Sequence, residues 1–64
     1  MTQGQAILEH LRRAPLDPLT ALSSYGCFRL AARIIELRDA GYRIVTEYRT
    51  TPAGKRHAVY RLAE

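Results

Sequence analysis

Between Gly26 and Gly41 the run GCFRLAARIIELRDAG sets apolar side chains at Cys27, Leu30, Ala31, Ile34 and Leu37. That i, i+3, i+4, i+7 recurrence is one helical stripe turned to a core, and it predicts a helix over about 27–40. Upstream, Ile7, Leu8 and Leu11 make a second stripe, with Glu9, His10, Arg12 and Arg13 on the wet side. Thr2 followed three residues later by Gln5 fits a capping box, and Pro15 is a stop, so a helix over about 3–14 is expected. Asp17-Pro18 combines an N-cap residue with proline at the first helical position. The short helix it opens, about 18–24, is expected to turn Leu19 and Leu22 inward. Tyr25-Gly26 then makes a turn for which glycine tolerates the left-handed conformation.

After Gly41 the period changes from helical to alternating. Ile44, Thr46 and Tyr48 alternate with Val45, Glu47 and Arg49, and Ala58, Tyr60 and Leu62 alternate with His57, Val59 and Arg61. The intervening Thr-Thr-Pro-Ala-Gly-Lys is a turn composition, so the two runs predict a β-hairpin over about 43–62. Pairing Ile44 with Leu62, Thr46 with Tyr60 and Tyr48 with Ala58 sets one apolar face against the helices. The expected architecture over residues 1–64 is a single α+β domain, mainly α: three helices followed by a two-stranded hairpin.

Size and charge narrow the functional classes. A chain of 64 residues buries only about 60% of the surface its unfolded form exposes, which leaves little room to shape a substrate cavity. The net charge is +4, which fits a polyanionic partner or a soluble basic surface. In residues 1–26, Arg12 and Arg13 are matched by Glu9 and Asp17. Residues 27–61 instead set Arg29, Arg33, Arg38, Arg43, Arg49, Lys55, Arg56 and Arg61 against Glu36, Asp39 and Glu47. The second part of the chain carries the excess. Cys27 is the one cysteine, so no internal disulfide can form, and no apolar run approaches a membrane span. No signal peptide is read ahead of the first helix, and a cytoplasmic setting is expected.

The candidate chemistry is cationic. Arg29 and Arg33 stand one helical turn apart, a like-charge spacing that destabilises a helix by a few tenths of a kcal/mol unless an anion faces the pair. Each can offer a planar fork to guanine or to a phosphate. The alternative is a solvated face with Glu36 pairing Arg33; Glu36 could also fix the Arg33 fork or repel wrong bases. Lys55 and Arg56, with Arg49 at the base of the turn, form a cationic hairpin tip suited to phosphate contact. Such charges also discourage strand pairing at an edge. Ser24, with Ser23, offers hydroxyls near the turn that either meet a phosphate or cap the chain. Tyr25 and Phe28 are expected to pack partly into the core rather than stack on bases, and Cys27 to be a small buried hydrophobe. His10, Cys27 and His57 are isolated, with no metal-ligand spacing, paired carboxylates or nucleophile motif. No enzyme, cofactor, metal or small-molecule substrate is expected.

Helix, helix, turn, helix and hairpin in this order resemble the winged helix-turn-helix family. GCFRLAARIIELRDAGYRI followed by GKRHAVYRL is similar to the short phage and prophage members. Their shared pattern falls here on Gly26 to Leu30, Arg33-Ile34, Leu37-Arg38, Gly41, Ile44 and Tyr60 to Leu62. The resemblance implies that helix 27–40 is a recognition helix with Arg29 and Arg33 facing a groove of double-stranded DNA, and that 50–56 is a wing tip beside the backbone. It implies a transcriptional regulator or an accessory factor in recombination or DNA architecture. A single copy has few base contacts, so a dimer, tandem sites or a partner protein is expected for specificity. The rival reading is a protein-interaction module that binds or inhibits a host factor through the same scaffold.

Overall fold

The computed structural model describes residues 2–63; Met1 and Glu64, the outer limits of the expected domain, lie outside the described residues. Three helices lead into a hairpin: α1 (Gln3–Arg13), α2 (Pro18–Tyr25), α3 (Leu30–Asp39), β1 (Ile44–Thr50) and β2 (Arg56–Leu62). The expected caps are present. The Thr2 hydroxyl accepts from the Gln5 amide at 3.2 Å while the Thr2 amide donates to the Gln5 side chain at 2.9 Å. Asp17 caps α2 by accepting from the Thr20 amide at 2.6 Å. Gly26 ends α2 with φ 64°, a conformation that other residues reach only with strain.

β1 and β2 pair antiparallel in the expected register, with Ile44 opposite Leu62, Thr46 opposite Tyr60 and Tyr48 opposite Ala58. A third element joins them that the alternation did not reveal. Leu16 makes an isolated antiparallel bridge to Tyr60, its amide donating to the Tyr60 carbonyl at 2.9 Å and its carbonyl accepting from the Tyr60 amide at 2.8 Å. The segment between α1 and α2 thus runs along the free edge of β2. The core gathers Ile7, Leu11, Leu16, Ala21, Cys27, Leu30, Ile34, Ile44 and Tyr60, with Tyr25, Leu37, Tyr42 and Leu62 packed against it.

Several expectations are corrected. The third helix begins at Leu30 rather than at 27, because the left-handed Gly26 is followed by non-helical residues that carry the chain around the turn. No side chain caps its start; Arg29 occupies the N-cap. Leu19 and Leu22 are 75% and 39% exposed, and Ala21 is the α2 residue that enters the core. Ala21 and half-buried Tyr25, four residues apart, form the inward face of α2, which leaves Leu19 and Leu22 turned outward. Phe28 is exposed rather than partly packed, since it sits in the non-helical segment after Gly26. Ala31 is exposed, so the buried stripe of α3 is Leu30, Ile34 and half-buried Leu37. On the hairpin, Tyr48 is exposed while Val59 is buried. Consecutive Val59 and Tyr60 are both buried, which means both faces of β2 are covered beside the edge where Leu16 pairs with it.

Candidate nucleic-acid interface

The buried stripe of α3 divides its remaining surface into two flanks. Arg29, Arg33 and Glu36 fall on one, and Ala31, Ile35 and Arg38 on the other. The second flank is the one toward the hairpin, because the Arg38 guanidinium donates to the Ile44 carbonyl at 3.0 Å and 2.7 Å and to the Thr46 hydroxyl at 3.0 Å. Arg38 belongs to the cationic excess of the sequence, yet it serves here as a clamp between α3 and β1. Sequence reasoning assigned it no site role, and only the register of β1 against α3 shows what its fork reaches.

Arg29 is exposed at the start of α3. Its charge lies at the positive end of the helix dipole, which disfavours a cation there and favours an anion beyond the helix terminus. Arg33 is less free. Its Nη2 lies 3.0 Å from a Glu36 carboxylate oxygen, and its side chain is one-third exposed. Its Nε is sealed from solvent without an acceptor among the described residues. The alternative pairing with Glu36 is therefore made, although an exposed pair of this kind contributes well under ~1 kcal/mol.

The wing tip is a defined turn. The Thr51 amide donates to the Lys55 carbonyl at 2.7 Å, and the Gly54 amide to the Thr51 carbonyl at 2.8 Å. The Thr51 hydroxyl accepts from the Lys55 amide at 3.1 Å. Gly54 takes φ 83°, so the chain can re-enter β2 without strain. Arg56 stacks over the Tyr48 ring with its guanidinium carbon 4.6 Å from the centroid. Arg49 and Lys55 are exposed, and neither they nor Arg29 make an ion pair among the described residues. Ser24 is exposed in the last turn of α2, where the negative end of that helix makes it a poorer phosphate neighbour than Arg29.

The turn before α3, helix α2 and the wing are neighbours. A cavity of about 490 Å³ between them is lined by Pro18, Leu19, Leu22, Phe28, Thr51 and His57. Asp17 borders it. The hydrogen bond from the Thr20 amide holds the Asp17 carboxyl below its ordinary value of 3.8; burial opposes this, while the Thr20 hydroxyl and the charges of His57 and Arg49 reinforce it. Behind the turn, His10 Nδ1 meets the Tyr25 hydroxyl at 2.8 Å and His10 Nε2 meets the Pro15 carbonyl at 3.2 Å. Both the end of α2 and the approach to the Leu16 bridge are thereby fixed to α1. No helix among the described residues is long and apolar enough to cross a membrane, and they contain no cluster of metal-ligating groups.

No curated protein and no solved structure showed a match to the chain. A family model described as a winged helix-turn-helix domain matches residues 2–64. With three helices, a left-handed glycine turn before the third and an antiparallel hairpin after it, the chain belongs to the winged helix-turn-helix domain family.

Proposed function

We propose that the protein binds double-stranded DNA, with α3 entering the major groove and the 50–56 wing lying along the backbone or in the adjacent minor groove. The observation that carries this reading is the set of exposed cations at the start of α3 and on the wing, whose Thr51 and His57 share a cavity with Phe28 just before that helix. Arg29 stands at its start, and Arg49, Lys55 and Arg56 on the neighbouring wing. Family membership supports DNA as the partner. Arg29 and the wing cations contact phosphates, which position a protein without reading bases. Arg33, its fork oriented by Glu36, is the arginine set to reach a base edge. Ser24 contributes at most a peripheral hydroxyl. The resemblance of the GCFRLAARI segment supports a phage or prophage setting, with a role in regulating transcription or as an accessory in recombination or DNA architecture.

A fluorescence-anisotropy titration with random duplex across a salt series tests the reading. Affinity should fall with a log-log slope of about −0.9 per neutralised phosphate. Lys55→Ala and Arg56→Ala should each remove about one such unit, whereas Arg29→Ala/Arg33→Ala should weaken a preferred site more than random duplex. Duplex binding unchanged in all four substitutions, with folding intact, would sink the groove-docking reading. A second reading, docking onto a host protein, is favoured by the exposed Leu19, Leu22 and Phe28 around the cavity. Absence of duplex binding at low salt would support it.

A further inference from the structure

Apart from Arg38 at its end, the flank of α3 toward the hairpin is apolar where water would favour polar side chains. Ile35 is 57% exposed and Phe28, just before the helix, is 86% exposed. Ala31, one turn before Ile35, is exposed as well. Nothing in local structure accounts for Ile35: a β-branched residue is a modest helix former, and here it leaves most of its surface in water. The strip lies on the side of α3 opposite Arg29 and Arg33 and toward the hairpin. That hairpin meets Arg38 at Ile44 and Thr46, shares a cavity with Phe28 at Thr51 and His57, and carries Arg49, Lys55 and Arg56.

That framing selects the occupant. A second copy of the chain would meet the strip through a two-fold axis, which sets each cationic rim against its own image. A polyanion matches both rims. In a duplex the phosphates would meet Arg29 and the wing cations, while the strip, like Arg33, faces the base edges between them. The apolar group that base edges present in the major groove is the 5-methyl of thymine. Ala31 also keeps that side of the helix low, so the backbone can approach the groove floor. Duplex RNA offers neither feature, since its major groove is deep and narrow and uracil lacks the methyl.

We infer that Ile35 and Ala31, with Phe28 at the mouth of the helix, bias the protein toward thymine-bearing duplex DNA by contact with the 5-methyl groups. The inference rests on the DNA reading proposed above and adds to it a source of base preference that uses no hydrogen bond.

The test compares short alternating d(AT) and d(AU) duplexes, which differ in the thymine methyls, by anisotropy titration at matched salt. The thymine duplex should bind more tightly by about fourfold for each methyl contacted. Ile35→Gln, a surface change whose folding is checked by circular dichroism, should bring the ratio toward one. Lys55→Ala should weaken both duplexes alike and preserve the ratio. Equal affinity for the two duplexes with a steep salt slope would overturn the methyl inference while upholding DNA binding. A thymine preference that persists undiminished in Ile35→Gln would assign it to duplex shape and overturn the inference too. Binding to neither duplex at low salt would overturn the DNA reading itself.

Discussion

Replacing Arg38 separates a structural cation from the binding cations around it. Its Nε and Nη2 both donate to the Ile44 carbonyl, at 3.0 Å and 2.7 Å, and Nη2 reaches the Thr46 hydroxyl at 3.0 Å. Ala63 donates to the Arg43 carbonyl at 2.8 Å, so alternation along β1 turns the Ile44 carbonyl away from β2, and Arg38 is its partner. Hydrogen bonds to a charged group contribute about 1.5–3 kcal/mol when sheltered; Arg38 is partly solvated, so about 1–2 kcal/mol is expected on Arg38→Gln. In a domain of this size that lowers Tm by about 8–15 °C. Arg38→Lys keeps the charge but loses the fork, and should recover only part of the difference. The assay is thermal unfolding by circular dichroism, run beside the salt series of duplex binding. The salt slope should be unchanged in Arg38→Gln at a temperature where it is folded. A wild-type Tm combined with loss of about one slope unit would refute the reasoning, because Arg38 would then be a phosphate contact.

Ile34 is 1% exposed in the core, so Ile34→Ala should cost about 2–5 kcal/mol, enough to unfold much of a domain this small; a near-native urea midpoint would show that the helix face is assigned wrongly. Asp17 has its carboxyl held below 3.8, first by the Thr20 amide. Its contribution is therefore fully present above that value and is lost as pH falls through the lower folded value. Asp17→Ala should lower stability by about 0.5–2 kcal/mol at neutral pH, and the gap from wild type should close in acid. Urea titrations at both pH values check this, and a gap that widened on acidification would contradict the cap.

The caps, the hairpin register and the order of elements were legible because each rests on contacts local in sequence. Thr2 with Gln5, Asp17 with Thr20, and Ile44 through Leu62 all follow from spacing or a short turn. Leu16 was not legible: one residue between Pro15 and Asp17 has no periodicity, and its bridge to Tyr60 depends on the hairpin folding back. The face of α2 failed for a related reason. Two turns of helix leave Leu19 and Leu22 as regular a stripe as Ala21 and Tyr25, and packing at the Gly26 turn decides between them. At the candidate interface, the cationic character of the wing was evident from Arg49, Lys55 and Arg56. The division of labour among arginines was not, since Arg33, paired with Glu36, and Arg38, bound to Ile44, carry the same side chain in the same helix.

The Leu16–Tyr60 bridge has a kinetic consequence. Its two backbone hydrogen bonds join residues far apart in sequence, and both partners are buried, so neither amide can be freed by fraying at one end. In hydrogen exchange the Leu16 and Tyr60 amides should share one protection factor, close to that of global unfolding. The wing tip can open locally while its root cannot, so the hairpin behaves as a flexible finger on a joint that unlocks only when the whole molecule does.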